Sequence, residues 1–110
     1  MGINVKTIKQ VAVVELDGRI DGRTAAELQD RILQLIQPGA KIVLDMAGVT
    51  YMSSAGLRLL VLTYRQVSAS EGDLVLAVLG EKIRDTMSIT GFLPYFTVYD
   101  TVEAALAALE

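Results

Sequence analysis

Two adjacent serines offer the chain's best prospect of chemistry. Ser53 and Ser54 follow an apolar run ending at Asp45 and precede a helical pattern, in the segment Met52-Ser53-Ser54-Ala55-Gly56-Leu57. A serine on a strand-to-helix turn suggests a hydrolase nucleophile elbow, Gly-x-Ser-x-Gly. Ser54 has Gly56 two residues on, but Met52 fills the place of the leading glycine. The chain contains no histidine to take a serine proton, and neither serine has a lysine three residues later, so both base-assisted arrangements fail. Cysteine is absent as well, which removes thiolate chemistry and disulfides together. No Gly-x-x-x-x-Gly-Lys-Ser/Thr loop and no Gly-x-Gly-x-x-Gly fingerprint occurs. Asp17, Asp21 and Asp45 could meet at strand ends and hold a hard cation, yet helix caps and turns account for them at less cost. The reading is therefore of a non-enzyme without metal or cofactor.

What remains is the serine hydroxyl as an acceptor. Serines at helix starts are usually N-caps, and Ser53 is placed for that role. Ser54 then falls at the first helical position, where no cap is needed, and its hydroxyl stays free. A phosphate there adds roughly −1.5 to −2 charge. The helix N-terminus offsets only about 0.3–1 kcal/mol of the local cost. Like charges brought together at an interface cost several kcal/mol, and each ~1.4 kcal/mol is tenfold in affinity. Such a modification dissolves a complex and leaves the fold intact.

The elements that must position these serines follow from periodicity. Residues 3–9 and 11–17 read as strands, with a join at Lys9-Gln10 that lacks an Asn-Gly hairpin signal. Leu28, Ile32, Leu35 and Ile36 share one face of a helix over 22–37. Thr24 with Glu27 fits a capping box there, and Asp21 is a competing cap. Pro38-Gly39 ends that helix. Lys41–Asp45 is a strand, 53–70 a second helix, 73–79 an apolar strand, 81–90 a short helix and 96–99 a last strand. Asp100 is placed to cap a final helix, with Glu103 as reciprocal partner. The order ββαβαβαβα implies one α/β domain over residues 1–110, with a mostly parallel sheet and one antiparallel strand.

Composition narrows the function further. With 110 residues, 52% hydrophobic and a net charge of −3, the chain can bury a core and shows no basic footprint for nucleic acid. No apolar run approaches the ~20 residues that span a bilayer, and the N-terminus lacks a secretory pattern. A cytoplasmic protein without membrane contact is expected. Its start at Met1 and its capped last helix favour a free-standing protein.

At this point the residues resemble a known family, the STAS domain of bacterial anti-sigma factor antagonists. The similarity covers essentially the whole chain. It rests on Leu16-Asp17-Gly18-Arg19-Ile20-Asp21, Thr24-Ala25-Ala26-Glu27-Leu28, Ile42-Val43-Leu44-Asp45 and, most specifically, Met52-Ser53-Ser54-Ala55-Gly56-Leu57. The resemblance implies the STAS fold, a single mixed sheet of about five strands with four helices. It implies a partner switch. The unphosphorylated form binds an anti-sigma factor that is also a GHKL-type serine kinase, and the sigma factor is released. Phosphorylation at the start of the second helix ends the binding, and a metal-dependent serine phosphatase resets it. Alignment of Met52 and Gly56 places the acceptor at Ser54. Many relatives carry an Asp where this chain has Ser53, which makes Ser53 a second candidate. The implied contact surface takes in the loop 47–53 with Thr50, Met52 and Ser53. It continues through the start of the second helix, with Gly56, Leu57 and Arg58, and the turn around Asp21. In the family the ATP belongs to the kinase. Related modules serve other signalling assemblies, so the alternatives are a STAS module of such an assembly or a small-ligand-binding α/β domain.

Overall fold

A computed structural model describes residues 1–110. Five strands form one sheet: β1 (Gly2–Ile8), β2 (Val11–Ile20), β3 (Lys41–Met52), β4 (Asp73–Ala77) and β5 (Val98–Tyr99). Their spatial order is the chain order. The β1–β2 pair is antiparallel, and every later pair is parallel. Four helices connect and close the sheet: α1 (Gly22–Leu33), α2 (Ser54–Ala69), α3 (Glu81–Ile89) and α4 (Val102–Leu109). The order ββαβαβαβα matches the expectation from sequence.

A sheet built strand by strand in one direction with right-handed crossovers puts its crossover helices on the same face. Helices α1, α2 and α3 accordingly share one side. Leu28, Ile32, Leu57, Leu60, Ile83 and Met87 close there over Leu16, Ile20, Ile42, Leu44, Leu74 and Leu76. No strand follows α4, so it is free to cover the other side, where Ala105 and Leu109 meet Val11, Val13, Val43, Val75 and Ala77. The central strands need apolar residues on both faces, which is why they read as continuous apolar runs.

Several boundaries differ from the sequence reading. Ile8 pairs with Val11 across a two-residue turn, with Lys9 at φ 49° and Gln10 at φ 69°. That is the turn geometry a tight hairpin needs, made without the residues that usually announce it. Helix α1 stops at Leu33, four residues before the expected end, while Leu35 and Ile36 still pack on the core. Pro38 disfavours helical geometry in the residue before it, so the chain unwinds ahead of it. Strand β4 ends at Ala77, and a 3-10 turn over Leu93–Tyr95 precedes a β5 of only two residues. The last helix is capped by Thr101, whose Oγ1 accepts from the Ala104 amide at 3.0 Å. The expected Asp100–Glu103 box is thus displaced by one residue, because either side chain can cap and the backbone turns at Thr101.

The largest correction bears on the serines. Strands β2 and β3 run on together past Glu15 and Asp45, to Ile20 and Met52, through two register shifts. Residues 47–52 are strand rather than loop. At the second shift Gly18 pairs with Val49 and Arg19 with Tyr51, which leaves Thr50 as the extra residue on β3. Gly48 allows the first crossing: a Cβ there would lie 2.6 Å from the Leu16 carbonyl oxygen. Such bulges interrupt the alternation that marks a strand in sequence. No helix is long and apolar enough to cross a membrane.

Candidate functional site

The last paired residues of β2 and β3 are Ile20 and Met52. The next residue of each strand caps a helix. Asp21 caps α1, where its Oδ1 accepts from the amides of Arg23 (3.1 Å) and Thr24 (3.0 Å). Thr24 completes the box: its Oγ1 accepts from the Asp21 amide at 2.8 Å and donates to the Arg19 carbonyl at 2.7 Å. The expected Thr24–Glu27 box therefore yields to Asp21, whose carboxylate matches the orphan amides more strongly than a hydroxyl does. The Thr24 amide is the main reason the Asp21 carboxyl lies below the ordinary aspartate value, with the Arg23 amide and charge adding to it.

Ser53 caps α2. Its Oγ accepts from the Gly56 amide at 3.0 Å, and its own amide donates to the Ile20 carbonyl at 2.8 Å. The two helix starts are thereby fastened side by side. A Cβ on Gly22 would lie 3.5 Å from the Ala55 Cβ. A Cβ on Gly56 would come within 2.7 Å of the Ile20 carbonyl oxygen, so this position excludes any side chain. Ser54 is the first residue of α2 and is exposed. No side-chain bond engages its hydroxyl, and the amide end of α2 favours negative charge beside it.

The structure brings together Asp21, Ser53 and Ser54, with Thr50 and Arg58 exposed nearby in the chain. It separates out three other expected contact residues. Met52 is 3% exposed and Leu57 fully buried, both in the main core. Gly56 is buried against Ile20. A partner cannot touch their side chains in this conformation; they set the position of the residues it can touch. The aspartates do not converge: Asp21 is a cap, Asp45 accepts from the Ala47 amide at 3.0 Å, and no acidic cluster forms.

One pair escaped the sequence reading. The Arg19 guanidinium sits 4.1 Å from the centre of the Tyr51 ring, and Tyr51 is 42% exposed. The two residues are neighbours across the β2–β3 pairing. That pairing becomes visible only once both strands are known to extend past Glu15 and Asp45. The ion pairs of the chain join Lys6 on β1 to Glu15 on β2 and Lys9 in the turn between them to Glu110 at the C-terminus, so Arg19 and Arg58 form no ion pair. A cleft of about 480 Å³ lies at the other end of the sheet, lined by Thr7, Gln10, Gln37 and Lys41 among others. Its lining includes no carboxylate, histidine or cysteine.

Two capped helix ends thus present a free hydroxyl at this end of the sheet. The chain belongs to the STAS domain family, which it matches over residues 2–105, and that family membership makes it a regulatory protein rather than an enzyme. It is 32% identical over 111 residues to BtrV of Bordetella bronchiseptica, which is named as an anti-sigma factor antagonist, covering 100% of this chain and 96% of that one. The anti-sigma-B factor antagonist of Bacillus subtilis is 31% identical over 91 residues, 83% of this chain and 84% of the relative. The fold is also that of SpoIIAA. Its unphosphorylated form superposes with a TM-score of 0.76 at 20% identity, over 98% of this chain and 96% of that one. Its phosphorylated form gives 0.73 at 20% identity, over 99% and 100%.

Proposed function

We propose that this chain is an anti-sigma factor antagonist working by partner switching. Unphosphorylated, it binds an anti-sigma factor that is also a GHKL-type serine kinase, and the sigma factor is released. The kinase phosphorylates Ser54, the complex separates, and a metal-dependent serine phosphatase restores the binding form. Asp21, Thr50, Ser53 and Arg58 lie on the contact surface, while Met52, Gly56 and Leu57 act from beneath it. The carrying observation is the division of labour between the serines. Ser53 spends its hydroxyl on the Gly56 amide, whereas the exposed Ser54 has no such duty. Relatives named anti-sigma factor antagonists support the role, as does the solution of SpoIIAA in both phosphorylation states.

The energetics agree with a switch. The start of α2 makes the phosphate tolerable to the fold, at about 0.3–1 kcal/mol. A like charge on the partner would cost several kcal/mol, or several decades in affinity. The test is incubation with ATP and the cognate kinase, then mass mapping and calorimetry. Phosphate is expected on Ser54, with loss of binding in Ser54→Asp. Phosphate landing outside residues 53–54, or a Ser54→Asp variant that binds as tightly as wild type, would overturn the mechanism.

A further inference from the structure

The solvent side of α2 carries an apolar strip with charged ends. Leu62 is 48% exposed, and Tyr95 on the 3-10 turn is 42% exposed. Between them runs a groove of about 220 Å³ lined by Arg58, Val61, Leu62, Arg65 and Phe92. Residues 58, 62 and 65 stand at i, i+4 and i+7, so they share one helix face, and the two arginines are about 10 Å apart along the axis. The Arg65 guanidinium lies 5.4 Å from the centre of the Tyr95 ring, which ties it to the 3-10 turn. Neither arginine has a carboxylate partner, since the ion pairs of the chain are Lys6–Glu15 and Lys9–Glu110. In a chain of net charge −3, this strip has the opposite sign to the whole.

We infer that this strip docks an acidic amphipathic helix of the kinase partner. The groove accepts one large apolar side chain, and carboxylates on either side of it reach Arg58 and Arg65. A helix meets this requirement because acidic residues seven apart are spaced as the two arginines are. An anionic membrane fits poorly, because the molecule's net charge of −3 opposes it. Arg58 lies one turn beyond Ser54, so the strip continues from the switch along α2. The inference rests on the switching reading and adds to it: the strip supplies affinity and register, and Ser54 supplies release.

The full chain is titrated into the cognate kinase by calorimetry, at low and high salt. Arg65→Glu is expected to weaken binding about tenfold or more and to flatten its salt dependence. Leu62→Ala is expected to weaken it about fivefold. Lys9→Glu, a matched charge reversal at the far end of the sheet, should bind as wild type. Leu62 and Arg65 are exposed, so the melting midpoints should stay within a few degrees of one another. Wild-type affinity in both Arg65→Glu and Leu62→Ala, with Ser54→Asp still releasing the kinase, overturns the strip alone. Failure of the wild type to bind the kinase overturns the switching reading and the strip with it. Binding of the wild type to phosphatidylserine vesicles, lost in Arg65→Glu, would assign the strip to a membrane instead.

Discussion

At the scale of single residues, the site depends on what is missing at position 56. A Cβ on Gly56 would meet the Ile20 carbonyl oxygen at 2.7 Å and its carbon at 2.9 Å. Both atoms are backbone, and the oxygen already accepts the Ser53 amide, so neither can give way cheaply. Gly56→Ala is expected to cost about 1–3 kcal/mol by overpacking, read from a denaturant midpoint. The two serines should separate cleanly. Ser53→Ala removes a cap and costs about 1 kcal/mol, whereas Ser54→Ala should fall within about 0.5 kcal/mol of wild type yet take up no phosphate. Leu57→Ala should behave as a core truncation, losing about 2–5 kcal/mol. Loss of binding in that variant, at a temperature where it is folded, would reflect a displaced α2 rather than a lost contact.

At the scale of elements, the start of α1 has a pH signature. The Asp21 carboxyl lies below its ordinary value of 3.8 because the Thr24 and Arg23 amides bind its charged form. A depressed folded value gives stability that is complete above the unfolded value. It is lost as pH falls through the lower folded one. Glu15 is lowered too, first by its hydrogen bond from Asn4 and then by Lys6, and contributes to the same acid limb. Asp21→Asn keeps a capping oxygen without the charge. Its acid unfolding curve is expected to be shallower than wild type below about pH 4, with the Glu15 part remaining. Equal acid slopes for the two proteins would refute this. The β1–β2 turn offers a second handle. Lys9 and Gln10 both sit in the left-handed region, which costs an ordinary residue about 1–2 kcal/mol. Replacing the pair by Asn-Gly should raise stability by about 1 kcal/mol, seen as a rise of several degrees in melting midpoint.

At the scale of the whole molecule, the prediction is that fold and binding respond separately. Ser54→Asp puts a negative charge at the start of a helix, where it stabilises by about 0.3–1 kcal/mol. Its melting midpoint should equal or exceed that of wild type while the kinase complex is lost. A melt lowered by many degrees would trace the loss to unfolding instead of charge. The two faces of the sheet explain this independence. Ser54 belongs to neither the main cluster nor the smaller one under α4, so a change at its hydroxyl leaves both intact.

The sequence by itself determined the order of elements, the mixed sheet, the lack of a catalytic base and the inequality of the two serines. These follow from local physics: apolar periodicity, cap chemistry and composition. The tertiary structure decided what depends on distant neighbours. Strand β3 reaches Met52 because β2 runs beside it to Ile20, and bulges hid that pairing from any periodic pattern. Thr101 rather than Asp100 caps α4 because backbone direction chooses between two able side chains. Met52 and Leu57 turned inward because residues of an apolar stripe are assigned to core or surface only by the sheet beneath them. Ser54 was legible as a free hydroxyl from its place in the helix. That its helix starts beside α1, with Gly56 pressed on Ile20, follows from a contact made across 36 residues of chain, counting from Ile20 to Gly56.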